Sequence, residues 1–81
     1  MTLLAQSIKA DQIIGGNIRK ARTALRMTQG ELSAKVQLLD CDISRGTLAK
    51  IEAGIRHISV AEINAIKEVL GMRYEDFFMS D

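Results

Sequence analysis

The chain lacks several residue types, and each absence narrows the class of protein. Among its 81 residues there is no Pro and no Trp, and the aromatic residues are one Tyr and two Phe. Because aromatic residues favour strands and Pro interrupts helices, this composition favours an all-α fold. No apolar run approaches the roughly 20 residues that a membrane-spanning helix needs. The opening residues also lack the basic start of a signal peptide. We therefore expect a cytoplasmic protein without a membrane partner.

Cysteine and histidine are also scarce, with one of each. Cys41 has no partner for an internal disulfide and stands between Asp40 and Asp42, where neighbouring carboxylates disfavour the reactive thiolate. This placement predicts an unreactive thiol, with a redox switch through an intermolecular disulfide as the alternative. His57 alone does not make a metal site, and no nucleophile, base or Gly-rich phosphate loop accompanies the acidic residues. The sequence predicts no cofactor, no metal and no enzymatic activity.

The net charge of +1 is small, but the charge is unevenly distributed. Residues 1–58 hold nine Lys or Arg against five Asp or Glu, whereas residues 59–81 hold two against five. A basic part backed by an acidic part would orient the molecule in the field of DNA. A solvated mixture of surface charges is the alternative interpretation.

Cap signals divide the chain into five predicted helices within one domain, residues 11–81. Asp11 is expected to cap a first helix that ends near Arg26. Residues 1–10 form a lead that is either a short helix or a frayed terminus. The apolar residues that recur along one side of this first helix are Ile14, Ile18, Ala21 and Leu25.

The next two helices each begin with a hydroxyl residue. Thr28 and Glu31 have the spacing of a capping box, and the second helix buries Leu32 and Val36. Ser44 caps a third helix that ends near Gly54. That helix directs Leu48 and Ile51 inward and leaves Arg45, Thr47 and Lys50 on the opposite side.

The C-terminal part repeats the capping signals. Ser59 and Glu62 form a second capping box, and Gly71 ends the fourth helix, whose apolar side holds Ile63, Ile66 and Leu70. A final turn at residues 74–78 is expected to bury Phe77 or Phe78.

These segments together resemble the lambda-repressor-like (XRE) helix-turn-helix family. The resemblance covers roughly residues 14–78. It is carried by the predicted helix from Ser59 to Gly71 and by three stretches: Ile14-Gly-Gly-Asn-Ile-Arg-Lys-Ala-Arg, Met27-Thr-Gln-Gly-Glu-Leu-Ser and Leu48-Ala-Lys-Ile-Glu-Ala-Gly. It implies a compact five-helix bundle in which helices two and three form the helix-turn-helix. The connection Gln37–Ile43 is longer than the tight turn usual in such motifs. We expect it to add a turn to helix two through Leu39, to bend at residues 40–42 and to direct Ile43 inward.

The resemblance also implies roles for individual residues. Arg45, Gly46, Thr47 and Lys50 take the positions that meet base edges in the major groove, and Arg45 suits guanine. Gly46 either lets the backbone approach DNA closely or specifies no base. Phosphate contacts are expected from Gln29, Ser44, Arg19, Lys20, Arg56 and His57. For the last four, a solvated surface role is the alternative.

Arg22 and Glu52 match a partly buried ion pair of the family that joins helix one to the end of helix three. Removing one partner strands a buried charge, so we expect these residues to serve folding rather than recognition.

The function implied is a double-stranded DNA-binding transcriptional regulator, a repressor that binds a palindromic operator as a homodimer. The candidate dimer surface is the C-terminal side around Met72, Tyr74, Phe78 and Met79. A protein-interaction module, such as an antitoxin or adaptor with a protein partner, is the main alternative. Nonspecific chromosome coating is a third.

Overall fold

Residues 3–80 form a small bundle of four α-helices followed by a short 3-10 turn. A computed structural model describes the backbone of residues 3–80 and the side chains of residues 9–80. The helices are α1 (Leu3–Ala24), α2 (Gln29–Gln37), α3 (Arg45–Glu52) and α4 (Val60–Leu70), and the 3-10 turn spans Tyr74–Phe77. The all-α class is confirmed, with no strand within the described range. The fifth predicted helix is only the 3-10 turn.

The first helix begins earlier than its predicted cap. α1 is continuous from Leu3, so Asp11 lies within it and the predicted cap at Asp11 is wrong. Residues 3–10 contain good helix formers and no Pro or Gly to stop the helix, which explains the extension. The Asp11 carboxylate instead pairs with the ring Nδ1 of His57, 2.5 Å away. α1 therefore crosses the predicted domain start at residue 11 without interruption.

The other caps are confirmed. Both capping boxes are formed: the N–H of Glu31 donates to Thr28 Oγ1 at 3.0 Å, and that of Glu62 donates to Ser59 Oγ at 3.1 Å. The reciprocal bonds from the cap N–H groups to the two glutamates are also present. Gly71 ends α4 with φ 67°, in the left-handed conformation.

Every element contributes to a single core. Ile14 and Ile18 are buried as predicted, but Leu25 lies beyond the end of α1 and is 53% exposed. The C-terminal turn buries Phe77 completely and leaves Phe78 outside, 56% exposed. The core residues are Ile14, Ile18, Leu32, Val36, Ile43, Leu48, Ile51, Ala65, Ile66, Leu70, Met72 and Phe77.

Met72 belongs to this core, so its assignment to the candidate dimer surface is wrong. Tyr74, Phe78 and Met79 remain exposed there. The side chain of Asn17 on α1 donates to the carbonyls of Phe77 and Met79, each at 2.8 Å, and holds this C-terminal segment against the bundle.

α1 and α3 approach each other at Gly15. A Cβ atom on this glycine would clash with the carbonyl oxygen of Ile51 and lie 2.9 Å from that of Glu52. The next residue, Gly16, has no atom within 4 Å of the same position. The absence of a side chain at Gly15 therefore fixes how closely the end of α3 packs on α1.

Two adjacent substitutions test this contact. Gly15→Ala is expected to destabilise the fold by about 1–3 kcal/mol or more, because the methyl group meets backbone that cannot move aside. Gly16→Ala is the matched control and is expected to stabilise the fold by about 0.5–1 kcal/mol, since it replaces a glycine inside a helix. Urea denaturation followed by circular dichroism measures both. Equal effects of the two changes would contradict the proposed packing.

The Glu62 carboxylate should make the fold sensitive to acid. Hydrogen bonds from the Arg56 guanidinium, together with those from the Ser59 cap, lower the pKa of Glu62 below its ordinary value of 4.5. A group whose pKa is lowered by folding stabilises the native state above its unfolded pKa, and this contribution is lost as the pH falls through the folded pKa.

We therefore expect Glu62→Gln to flatten the decline in unfolding free energy as the pH falls below 4.5. Glutamine can still cap the helix through its side-chain oxygen, and it does not titrate, so the acid-dependent contribution of this position disappears. Glu68→Gln, at an exposed position on the same helix, is the control and should leave the acid decline unchanged. Chemical denaturation at a series of pH values measures both. A parallel decline in the Glu62 variant and the native chain would refute the assignment.

Candidate nucleic-acid interface

α3 is anchored on one side and open on the other. Leu48 and Ile51 are completely or almost completely buried in the core. Arg45 and Lys50 lie on the opposite side and are exposed. The two sides of this eight-residue helix are therefore distinct: one packs in the core and the other faces solvent.

The start of α3 is held by a pair of hydroxyl groups. Ser44 Oγ accepts from the N–H of Thr47 at 3.1 Å and donates to Thr47 Oγ1 at 3.0 Å. Both side chains are therefore oriented by each other. The hydroxyl proton of Ser44 is used within the protein, so a phosphate contact from that proton requires Ser44 to release Thr47.

Gly46 has no steric role inside the protein. It is exposed on the first turn of α3, and a Cβ built there would have only Ser44 Oγ within 4 Å, at 4.0 Å. This contrasts with Gly15, where neighbouring backbone excludes a side chain. The fold therefore gives no packing reason for glycine at position 46.

A buried ion pair lies behind this surface, between α1 and the last residue of α3. Arg22 Nε and Nη2 donate to the two carboxylate oxygens of Glu52, each at 2.7 Å. Arg22 Nη1 donates to the carbonyl of Met27 at 2.7 Å, which ties the α1–α2 connection to the same group. The hydrogen bonds that Arg22 donates to Glu52 raise the pKa of Arg22, so its positive charge is secure.

Gln29 belongs to the same network, which sequence patterns did not predict. Its side-chain Nε2 donates to Glu52 Oε1 at 3.1 Å, and the residue is half-buried at the start of α2. The spacing of 23 residues between the two carries no periodic signal that links them. Only the packing of α2 against α3 brings them together.

Three of the predicted contact residues, Arg19, Gln29 and Arg45, lie in neighbouring clefts beside Arg22. Arg19 and Gln29 line one cleft beside the Arg22–Glu52 pair, and Arg45 lines a second cleft with Gln29. Lys20, although next to Arg19 in sequence, lies on a different face of α1, in a groove with Leu70 and Asp76. The structure therefore brings Arg19, Gln29 and Arg45 together and leaves Lys20 apart from them.

Arg56 and His57 both have carboxylate partners in the α3–α4 connection. Arg56 donates to the two oxygens of Glu62 at 3.0 and 2.9 Å, and this hydrogen bonding raises the pKa of Arg56. His57 pairs with Asp11 and is otherwise exposed. A phosphate contact from Arg56 requires it to share or leave Glu62.

The long connection before α3 is fixed at its C-terminal end. α2 ends at Gln37 rather than continuing through Leu39, and Asp40 adopts a left-handed conformation with φ 60°. Ile43 is completely buried, as predicted. Its carbonyl accepts from Ser33 Oγ at 2.7 Å and from Gln37 Nε2 at 3.0 Å. These two bonds, which the sequence did not reveal, set the start of α3 despite the longer loop.

Cys41 lies half-buried in that connection. Burial raises the pKa of its thiol, and the nearby carboxylates of Glu62 and Asp42 raise it further. A raised pKa lowers the thiolate fraction at neutral pH, which agrees with the prediction of low reactivity.

No group of three or more His, Cys, Asp or Glu side chains in the described part of the chain is placed to hold a metal ion. Within residues 3–80, no helix is long and apolar enough to cross a membrane.

Comparison with known families gave one match. A family model described as helix-turn-helix matches residues 18–77, a span that begins within α1, ends in the 3-10 turn and contains all of α2, α3 and α4. No curated protein and no solved structure matches the chain.

Proposed function

We propose, from the premise that this chain belongs to the lambda-repressor-like (XRE) helix-turn-helix family, that it is a sequence-specific regulator of transcription. It binds double-stranded DNA as a homodimer and represses by occupying a palindromic operator. The observation that supports this most directly is the exposed side of α3, where Arg45, Gly46 and Lys50 face solvent while Leu48 and Ile51 anchor the helix.

The shape of this surface suits the major groove, which is about 12 Å wide and admits one α-helix. Arg45 lies at the first position of α3 and Lys50 near its last turn. Both present N–H donors, and guanine offers two acceptors, O6 and N7, at the groove edge. We propose that Arg45, Thr47 and Lys50 read base edges, with Arg45 bidentate to guanine.

Phosphate contacts are proposed on either side of α3. Arg19 and Gln29 line a cleft that borders the exposed side of α3, and Ser44 caps the first turn of α3. The N-terminal ends of α2 and α3 both carry partial positive charge, which favours a phosphate nearby. The basic balance of residues 1–58 supports this orientation toward DNA.

A homodimer would place two copies of α3 about one helical turn apart, roughly 34–36 Å, on a palindromic site. The exposed side chains of Tyr74, Phe78 and Met79 give the C-terminal segment an apolar surface that a second copy could cover.

Selection of bound duplexes from a random DNA pool tests the proposal as a whole. We expect enrichment of one motif made of two inverted half-sites. A single enriched half-site would contradict the dimer, and enrichment of no motif with retained binding would indicate nonspecific coating. Absence of DNA binding would favour the protein-interaction alternative.

Reversal of one charge on α3 tests the recognition surface. Lys50→Glu should weaken binding to the selected duplex by more than about tenfold, because a carboxylate would face the negative DNA. Lys9→Glu is the matched control: it makes the same change in net charge at an exposed position of α1, outside the proposed contact residues and the proposed dimer surface. Fluorescence anisotropy at several salt concentrations measures both. Equal losses would mean that overall charge, rather than the α3 surface, governs binding.

Gly46 gives a second test of the same surface. Gly46→Ala should stabilise the free protein by about 0.5–1 kcal/mol, because it replaces a glycine in a helix where space is open. We propose that α3 approaches DNA closely at Gly46, so the methyl group of the same variant should weaken DNA binding by about tenfold. Denaturation and anisotropy measure the two effects. Unchanged affinity would mean that Gly46 specifies no base and contacts none.

A further inference from the structure

We infer that Glu52 is a positioning residue for DNA docking: its carboxylate holds the side-chain amide of Gln29 in the orientation that offers an N–H to a phosphate oxygen. The inference rests on the proposed function, because it concerns the same surface. It also assigns to the Arg22–Glu52 pair a role beyond the folding role that the family resemblance implies.

The hydrogen bonds of Glu52 define the arrangement. Its Oε2 accepts from Arg22 Nε at 2.7 Å, and its Oε1 accepts from both Arg22 Nη2 at 2.7 Å and Gln29 Nε2 at 3.1 Å. Glu52 is buried and its side chain is only 3% exposed. The two shorter bonds from Arg22 therefore fix the carboxylate to which Gln29 donates.

An ionised carboxylate accepts hydrogen bonds and donates none, so it selects one end of the Gln29 amide. The NH₂ end faces Glu52, and the second N–H of the same nitrogen remains for an external acceptor. With the amide reversed, Gln29 would turn its carbonyl oxygen toward the carboxylate, and the two acceptors would repel. Glu52 thus disfavours the reversed orientation. It also restricts the side chain of Gln29 before DNA binds, so less conformational entropy is lost on binding.

Arg22 makes this arrangement compatible with a nearby polyanion. A lone carboxylate behind Gln29 would repel the phosphate that Gln29 is proposed to contact. The bidentate pairing with Arg22 neutralises that charge at 2.7 Å. The cleft lined by Arg22, Gln29 and Arg45 is consequently cationic overall.

The position of Glu52 is set by the fold rather than by the site. Its backbone carbonyl packs against Gly15 of α1, and its side chain is held by Arg22 of the same helix. Through Glu52, the contact between α1 and α3 determines where the amide of Gln29 points.

A double-mutant cycle tests the coupling. Glu52→Asp withdraws the carboxylate by one methylene group and keeps its charge, and Gln29→Ala removes the amide. Each single change is expected to weaken binding to the selected duplex by about fivefold to tenfold. The affinity of the double variant should lie within about twofold of that of the single variant that binds less tightly. The salt dependence of binding should stay the same throughout, because no charge is added or removed.

Circular dichroism at the binding temperature must show that each variant is folded, so that affinity is not confused with stability. If the two losses multiply, Gln29 and Glu52 act independently and the inference is overturned. If Gln29→Ala leaves affinity unchanged while Lys50→Glu abolishes binding, the proposed function stands and the inference fails.

A second measurement needs neither a variant nor DNA. ¹⁵N relaxation of side-chain amides in the native protein should give Gln29 an order parameter well above that of the exposed Gln12. Similar mobility of the two amides would overturn the inference, even if the Glu52→Asp variant cannot be folded. A restrained Gln29 in a protein that fails to bind any duplex would support the geometry and refute the proposed function instead.

Discussion

The buried pair of Arg22 and Glu52 is the interaction on which the rest of the structure depends. Charges are costly to bury, and this pair offsets the cost with two short hydrogen bonds and a third to the carbonyl of Met27. Loss of either partner would strand a buried charge at a cost of about 3–5 kcal/mol, a large share of the 5–15 kcal/mol that stabilises a typical domain. The pair joins α1, the α1–α2 connection and the end of α3, so these elements are expected to form together.

This anchoring explains how a helix of eight residues can present a binding surface. So short a helix is not stable alone in water, because too few hydrogen bonds offset the cost of its nucleus. α3 is held at its start by the bonds from Ser33 and Gln37 to the carbonyl of Ile43, and at its end by Glu52. Both ends are fixed from the inner side, which leaves the outer side clear. The longer connection before α3 thus changes the loop without loosening the helix.

Features that depend on neighbours in sequence were predictable, and those that depend on packing were not. The capping boxes at Thr28 and Ser59 follow from spacings of three residues and were predicted correctly. The start of α1 was missed because a good cap residue, Asp11, lies within a stretch that also favours helix. Local signals do not decide between these two preferences.

The bond from Gln29 to Glu52 spans 23 residues and exists only because α2 packs on α3, so no periodic pattern predicts it. The family resemblance supplied the pairing of Arg22 with Glu52, but it did not include Gln29 in that network.

The pairing of charges shows how a chain with a net charge of +1 can hold a cationic surface. Arg22, Arg56 and Arg73 each bind a carboxylate within the protein, and these pairs stabilise helix contacts or turns. Among the residues that the structure describes, Arg19, Arg45 and Lys50 form no such pair. Of the acidic residues near α3 in sequence, Asp40 and Asp42 line a groove with residues of α4, and Glu52 is neutralised by Arg22. Because the Debye length at physiological salt is only about 8 Å, an approaching anion senses the nearest charges rather than the net charge. The local excess around α3, and not the overall balance, is therefore the electrostatic property relevant to binding.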